Sequence, residues 1–296
     1  MKRFQPSRTA EYMAFFRALE SARPASQRLF NDPFAPYFVR PYLRRAASVS
    51  RWAPAAAIVN RYSDLRLPGA RTSAVARTKM IDDALLEALR TQISQVVILG
   101  AGFDCRAYRM AELGNTVVFE VDHPATLAMK LDRLRPALLR TPENIRYVEI
   151  DFLRQALPEV LMGAGFQSSR PAVFLWEGVS HYLTPEAVDS VLHFVAACAP
   201  RTRLIFTYIH AGMLDHSVAF KSAARLLRDF KSISEPWIFG LNPEDVRAFL
   251  RDHALHLDRD LGAAEYRKLY FGKSAERMVG YEFYHVAVAH VEDGSA

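Results

Sequence analysis

Cysteine is nearly absent from this chain, which has only Cys105 and Cys198 among its 296 residues. Two cysteines so far apart cannot form a disulfide framework or a cysteine metal cluster, so we expect reduced thiols and no metal site. No apolar run approaches the ~20 residues that cross a bilayer, and the first residues lack the apolar segment of a secretory signal. We therefore expect a cytoplasmic protein without a membrane partner.

Acidic residues are scarce at the beginning of the chain. Residues 1–80 contain fifteen Lys and Arg but four Asp and Glu, a balance of +11, whereas the remaining residues carry twenty-three against twenty-eight, a balance of −5. These arginines could form a positive rim that attracts an anionic substrate, or they could be the solvated faces of amphipathic helices. They are spaced singly and match no nucleic-acid motif, so we expect no nucleic-acid partner.

A strand, a glycine turn and a helix follow one another at residues 95–113. The apolar run 96–99 is typical of a buried parallel strand, and Gly100 and Gly102 follow it in a turn that could approach a ligand closely. A second apolar run ends in Glu120 and Asp122, about 20 residues beyond the glycines, where an acid can accept hydrogen bonds from ribose hydroxyls. This spacing indicates a nucleoside site.

The residues after the turn favour one nucleoside over another. A dinucleotide fingerprint needs a third glycine, but Cys105 stands at that position, and Asp104 would lie close to a pyrophosphate. The carboxylate of Asp104 would repel a pyrophosphate, whereas it would not repel the positively charged ammonium and sulfonium of S-adenosylmethionine. The sequence therefore favours S-adenosylmethionine over a nicotinamide dinucleotide.

Three further strand patterns end in polar residues. Residues 145–150 precede Asp151 and Phe152, residues 172–176 precede Glu177, and residues 203–210 end at His210. Asp151 and Phe152 could hold the amine and the ring of an adenine, although an acid there could equally cap the next turn. Ligands of open α/β sheets lie outside the carboxyl ends of the strands, so these residues are candidates for one site.

The remaining pattern predicts helices around this sheet and an alternating last strand at 281–291. Residues 1–75 are expected to form a helical N-terminal cover. Residues 76–296 are expected to form the core, with a helical lid inserted near 211–240. The helix expected at 73–90 carries Arg77. This arginine could simply be solvated on the helix surface, or it could reach the glycine turn.

Taken together, these residues resemble the leucine carboxyl methyltransferase family, also called the protein phosphatase methyltransferase family, and in particular its bacterial small-molecule O-methyltransferase branch. The resemblance rests on five stretches, which are ART at 76–78 with Asp82, LGAGFDCR at 99–106, FEVDHP at 119–124, DF at 151–152 and WEGVSHYL at 176–183. It implies a Rossmann-like class I α/β fold, with a seven-stranded, mostly parallel sheet, an antiparallel last strand and helices on both faces.

The resemblance also implies roles for individual residues. Arg77 would bind the methionine carboxylate, Gly100 the methionine backbone, Asp122 the ribose, Asp151 and Phe152 the adenine, and Glu177 the methionine ammonium. Gly102 and Glu120 join these cofactor candidates from the glycine turn and the second strand. S-adenosylhomocysteine would be the product.

The acceptor is the open question at this stage. Tyr182, His181 and Tyr208 are the candidate catalytic residues, with His210 beside them, although packing would explain each one alone. We expect an O-methyltransferase that acts on a carboxylate or hydroxyl of a small metabolite, which could be anionic. A protein C-terminal carboxyl methyltransferase, a nicotinamide-dependent oxidoreductase and a non-catalytic cofactor-binding protein are the alternatives.

Overall fold

The computed structural model describes residues 8–138, 140–151, 154–220 and 236–293. Its centre is a seven-stranded sheet in the order β3-β2-β1-β4-β5-β7-β6. The strands are β1 (Gln95–Leu99), β2 (Val117–Asp122), β3 (Ile145–Glu149), β4 (Ala172–Trp176), β5 (Arg203–Ile209), β6 (Leu255–Gly262) and β7 (Tyr284–Val291). Strands β1 to β5 pair in parallel, and β7 pairs antiparallel with both β5 and β6.

Helices cover both faces of this sheet. In chain order they are α1 (Arg8–Ser21), α2 (Pro41–Val49), α3 (Ala53–Arg66), α4 (Ala70–Leu89), α5 (Arg106–Arg109), α6 (Pro124–Leu134), α7 (Leu157–Gly163), α8 (Pro185–Ala196), α9 (Val246–Asp252) and α10 (Ala263–Phe271). Within the described part of the chain, no helix is both long and apolar enough to cross a bilayer. The fold class is confirmed, including the antiparallel last strand.

The sheet is buried because successive side chains of its central strands serve two different cores. Val97 and Leu99 of β1 pack on one face in a core shared with α7, α8 and α9. Val96 and Ile98 point to the other face and pack with the apolar side of α4. A strand that is buried on both faces must be apolar throughout, as the run at 96–99 is.

The first helices pack against the end of the sheet through a third apolar core. Phe15 and Phe16 of α1 lie there with Phe103, which follows the glycine turn, and with Phe283, which precedes β7. Arg17 strengthens this contact, since its Nη2 donates to the carbonyl oxygen of Phe103 at 2.6 Å. The predicted boundary at residue 75 falls inside α4, so one continuous helix joins the N-terminal segment to the sheet.

The structure adds two details to the secondary structure predicted from the sequence. The sequence pattern did not predict β6, because this edge strand is half exposed and its register shifts between Leu257 and Arg259, which interrupts the alternation. The amphipathic pattern of residues 124–140 predicts a helix disturbed near Pro136, and α6 ends at Leu134, before that proline. In the predicted lid, residues 211–213 form a short 3-10 turn, and residues 221–235 lie outside the described residues.

Candidate cofactor and acceptor site

A cavity of about 1010 Å³ lies at the carboxyl ends of β1, β2 and β4. Its floor is the glycine turn after β1, and its walls include Asp122 at the end of β2 and Glu177 after β4. Residues of α1 and α4 close it from the N-terminal side. The position agrees with the general rule for ligand sites in open α/β sheets.

Two glycines at the cavity have backbone conformations and surroundings that other residues would not suit. Gly100 has φ +63°, and a Cβ there would lie 2.4 Å from Cγ2 of Val179. Gly178, on the opposite wall, has φ +73°, and a Cβ there would meet nothing within 4 Å, so it would project into open space. Both positions need glycine for their backbone conformation, and Gly100 also needs it for the close approach of Val179.

Asp122 fixes the turn from the neighbouring strand. Its Oδ2 accepts a hydrogen bond from the backbone N–H of Gly102 at 2.7 Å, and its Oδ1 accepts one from the N–H of His123 at 2.6 Å. A carboxylate has about four acceptor positions, so about two remain for hydroxyl donors in the cavity.

Arg77 and Glu177 form an ion pair in the cavity wall. Nε of Arg77 donates to Oε1 of Glu177 at 2.9 Å, and Nη1 of Arg106 donates to Oε2 at 2.9 Å. Burial opposes the charge of Glu177, but Arg106 and Arg77 outweigh it and lower the pKa of the carboxyl group. Glu177 is therefore a carboxylate at neutral pH.

A second layer of ion pairs holds Arg106 in place. Asp82 of α4 accepts from Nε of Arg106 at 2.7 Å and from Nη2 of Arg109 at 2.7 Å, and Asp104 also accepts from Arg106. Burial raises the pKa of Asp104, but Arg106 and Lys130 together hold it at about 2. The charges beside the glycine turn are thus fixed before any ligand enters.

Beside Arg77, part of the cavity wall is aromatic and neutral. His181 is buried, and its Nε2 lies 3.2 Å from the hydroxyl oxygen of Tyr284. Its Nδ1 is buried without a hydrogen-bond partner among the described residues. Tyr182 and Trp237 pack against the His181 ring, with centroids at 4.3 and 5.0 Å, and line the cavity with it.

Burial and the nearby Arg77 lower the pKa of His181 to about 3. The imidazole is therefore neutral at physiological pH. Tyr284 lies between the charged and the aromatic groups, since the guanidinium of Arg77 lies 4.7 Å from its ring centroid. Burial raises the pKa of the Tyr284 hydroxyl, so this group is neutral as well.

The structure brings seven of the predicted site residues to this cavity, namely Arg77, Gly100, Gly102, Asp122, Glu177, His181 and Tyr182. Glu120, Asp151 and Tyr208 are not among the residues that line it. Asp151 follows β3 and forms an ion pair with Arg154 at 3.5 Å. Phe152 lies outside the described residues.

Glu120 and Tyr208 are committed to partners inside the protein. Glu120 is fully buried, and its carboxylate accepts from Nζ of Lys130 at 2.8 Å and from the hydroxyl of Tyr108 at 3.0 Å. Tyr208 is also fully buried and donates its hydroxyl hydrogen to Asp260 at 2.7 Å. Neither residue is the last one of its strand, so each side chain lies beneath the helices that cover the sheet and not at the strand end.

Tyr284 and Trp237 are site residues that the sequence pattern did not reveal. Tyr284 begins β7 and pairs with Ile209 at the end of β5. An antiparallel strand begins at the edge where its parallel neighbours end, so its first residue reaches the site. From the sequence, only this rule could have indicated that Tyr284 lies at the site. Trp237 lies in the segment that is predicted to be a lid.

These residues fit the predicted cofactor. Gly178 leaves open space beside the turn, Asp122 keeps acceptor positions for ribose hydroxyls, and the adjoining ion pair offers one anionic and one cationic group to an amino acid. When bound, S-adenosylmethionine supplies an electrophilic methyl group on a sulfonium. In the described part of the chain, no cluster of potential metal ligands occurs.

Known proteins with similar sequences also support an S-adenosylmethionine site. The family model described as leucine carboxyl methyltransferase matches residues 10–196. A relative from Mycolicibacterium gilvum is 33% identical over 252 residues, which cover 84% of this chain and 74% of the relative. One from Frankia alni is 34% identical over 260 residues, 86% and 87% of the two chains. The names of both describe an S-adenosyl-L-methionine-dependent methyltransferase.

Solved structures agree on the fold. A methyltransferase from Thermobifida fusca superposes with a TM-score of 0.57 at 20% identity and covers 93% of this chain and 97% of its own. A DUF574 family protein from Streptomyces avermitilis gives a TM-score of 0.55 at 17% identity, with 93% and 96% covered. From the family match, the relatives and the cavity, we conclude that this chain belongs to the leucine carboxyl methyltransferase family and is an S-adenosylmethionine-dependent methyltransferase.

Proposed function

We propose that the enzyme methylates an oxygen of a small metabolite, and that this oxygen belongs to a carboxylate. The observation that carries the proposal is the neutral, aromatic group of side chains around His181, which lies beside the ion pair of Arg77 and Glu177. N-terminal helices line the same cavity, which supports a small acceptor.

Three titratable groups near the proposed acceptor position are poor general bases at neutral pH. His181 is the one histidine among these lining residues, and its lowered pKa of about 3 makes it a weak base at neutral pH. Asp104 and Glu177 have lowered pKa values, because arginines stabilise their charged forms. A hydroxyl acceptor would need a base to remove its proton, whereas a carboxylate is already an anion.

Positioning is then the main task of the protein in the reaction. The ion pair of Arg77 and Glu177 would bind the amino-acid end of the cofactor, and Asp122 would bind its ribose. Phe152 and Asp151 remain candidates for the adenine. His181 and Tyr284 are hydrogen-bonded to each other, so the pair would donate one further hydrogen bond that orients the acceptor, while the surrounding rings exclude water from the line of transfer.

The size of the cavity supports a small acceptor. Small-molecule sites in proteins occupy roughly 300–1000 Å³. A cavity of about 1010 Å³ is therefore large enough for the cofactor together with a metabolite. In this proposal the described parts of residues 1–75 and 211–240 form the cover over the acceptor, and a folded protein partner could not enter beneath it.

The chemical stability of the product tests the choice of acceptor. The enzyme is incubated with S-adenosylmethionine and pairs of compounds that differ only in a carboxylate or an alcohol, and the release of S-adenosylhomocysteine is measured. We expect turnover of carboxylates, with products whose methyl group is lost as methanol in mild alkali. Methyl groups that resist alkali would identify ethers and contradict the proposal, as would turnover limited to peptides with a free C-terminus.

Cofactor binding is tested separately by calorimetry. Asp122→Asn keeps the size of the side chain but removes its charge and one acceptor oxygen, so we expect affinity for S-adenosylhomocysteine to fall about tenfold or more. Asp132→Asn is the matched control, since Asp132 is exposed on α6. Equal affinity of both variants would remove Asp122 from the cofactor site.

A further inference from the structure

The pair of helices α2 and α3 exposes an unusual number of large apolar side chains. Six such side chains lie in residues 42–65, and between 54% and 70% of the surface of each of these six residues is exposed. They are six of the thirteen large apolar side chains that are exposed in the described part of the chain, and the other seven lie outside residues 40–66. We call these six the α2–α3 face, which consists of Tyr42, Val49, Trp52, Ile58, Tyr62 and Leu65.

Helix α3 packs very little against the rest of the protein. Of its fourteen residues, all of them described, Ser63 alone is buried. Ile58, Tyr62 and Leu65 are spaced four and three residues apart and therefore form one stripe along the helix. A surface helix normally buries such a stripe, whereas this one is exposed to solvent.

The same segment is strongly basic. Residues 40–66 contain six arginines and one aspartate, a balance of +5. Arg40 pairs with Glu11, and the aspartate, Asp64, pairs with Arg71. The arginines without an ion-pair partner among the described residues are Arg44, Arg45, Arg51, Arg61 and Arg66. The charge around the apolar stripe is thus mostly uncompensated.

We propose that the α2–α3 face binds the surface of an anionic lipid bilayer. Apolar side chains would enter the boundary between headgroups and acyl chains, while the arginines reach the anionic headgroups. Tyr42, Trp52 and Tyr62 have both a ring and a polar group, which suits the same boundary. A second copy of the chain fits less well, because a two-fold contact would bring the basic segment against itself.

The position of this face beside the cavity gives it a functional meaning. Arg40, Tyr42 and Arg66 line the cavity as well, so its mouth adjoins the proposed membrane contact. An acceptor with an apolar tail could pass from the lipid surface into the site without crossing water. The expectation of no membrane partner rested on the lack of a spanning segment, which does not bear on binding at the surface.

Vesicle sedimentation tests the proposal with the full chain. One set of vesicles is phosphatidylcholine alone, and the other contains about 30% phosphatidylglycerol. We expect at least about tenfold stronger binding to the anionic vesicles, with a decrease as salt is added, because salt screens exposed charges. Absence of binding to the anionic vesicles overturns the proposal.

Two triple variants distinguish binding by this face from nonspecific binding by exposed apolar side chains elsewhere. Trp52→Ser, Ile58→Ser and Leu65→Ser together remove apolar groups that do not line the cavity, and we expect them to reduce vesicle binding about tenfold. Met162→Ser, Val279→Ser and Leu269→Ser remove exposed apolar groups elsewhere and should leave binding unchanged. Equal loss in both variants contradicts the proposal.

Two further measurements show whether the variant is folded and whether the face binds lipid or a second copy of the chain. Calorimetry with S-adenosylhomocysteine should give the same affinity for the first variant as for the wild type, which shows that the protein is folded and keeps the two questions separate. Light scattering measures the oligomeric state. If that variant changes a dimer into a monomer while vesicle binding persists, the face is an interface between copies and the lipid proposal is wrong.

Discussion

Two acids of the same strand have different environments at the level of single residues. Asp122 ends β2 and faces the cavity, whereas Glu120 lies two residues earlier and is buried against Lys130. The sequence alone assigned both to the cofactor, because an apolar run that ends in two acids does not show which of them passes the edge of the sheet. The burial of Lys130 decides the matter, since a buried ammonium needs a carboxylate partner.

Replacing Glu120 should therefore affect stability rather than recognition. Glu120→Gln leaves the buried Lys130 without a charged partner, and we expect a loss of about 3–5 kcal/mol in the free energy of unfolding. Urea unfolding measures this loss. Adding Lys130→Met should restore part of the stability, because the unpaired charge is removed. A double variant less stable than Glu120→Gln would show that the unpaired ammonium does not cause the loss.

His181 should make the protein sensitive to acid. Its pKa is about 3 in the folded protein and near 6.5 in an unfolded chain, so between these values only the unfolded state gains the proton. The contribution of neutral His181 to the free energy of unfolding is fully present above pH 6.5. It decreases as the pH is lowered, by about 1.4 kcal/mol per pH unit. Urea unfolding at several pH values should show this slope in the wild type.

The contribution of His181 is obtained by difference. His181→Gln should be less sensitive to pH between about 6 and 4 than the wild type, since glutamine does not titrate. His256→Gln, in an exposed position, is the control and should follow the wild type. Parallel curves for His181→Gln and the wild type would show that the imidazole is not held neutral by the fold.

At the level of elements, a close backbone contact fixes the start of α4. Gly69 has φ +84°, and a Cβ there would lie 2.8 Å from the backbone of Gly280. Two hydrogen bonds reinforce this contact, from Thr72 to the carbonyl of Val279 at 2.6 Å and from the N–H of Tyr281 to Ser73 at 2.8 Å. The helix that carries Arg77 is thus attached to the segment that precedes β7.

A pair of glycine replacements tests this contact. Gly69→Ala and Gly165→Ala both place a side chain at a positive φ, but a Cβ at Gly165, φ +93°, would meet nothing within 4 Å. The backbone term alone costs about 1–2 kcal/mol, and the overlap should make Gly69→Ala costlier by about another 1–3 kcal/mol. Urea unfolding gives both values. Equal losses would mean that the contact with Gly280 adjusts without cost.

Local pattern predicted those elements whose burial is uniform. Strands β1 and β4 are buried at every position, and the turn at Gly100 follows from its glycines, so both were recognisable in the sequence. The pattern failed for β6, which is exposed and carries a bulge, and for Tyr284, whose role depends on the direction of β7. Side-chain pairs such as Lys130 with Glu120 depend on the tertiary fold and leave no local signal.

At the scale of the whole molecule, the cavity lies between the N-terminal helices and the sheet. A ligand there contacts both parts, so its binding free energy should stabilise them together. S-adenosylhomocysteine at about 100 times its dissociation constant should add about 2.7 kcal/mol to the free energy of unfolding. Urea unfolding followed by circular dichroism and by tryptophan fluorescence should show a single shifted transition.

A variant without the ligand response is the control for this experiment. Asp122→Asn should show a smaller shift at the same ligand concentration, because its affinity is lower. If the two spectroscopic signals separate when ligand is present, the N-terminal helices unfold independently of the sheet. In that case the cavity would not couple the two parts of the molecule.

The cavity wall combines the two ends of the chain, with Tyr12 and Met13 from α1 and Tyr281 and Tyr284 from the last segment. Synthesis on the ribosome delivers these ends at opposite times. A nascent chain therefore has no complete pocket until Tyr284 has emerged. Because β7 begins at Tyr284 and lies between β5 and β6, the pocket and the sheet are completed at the same stage of synthesis.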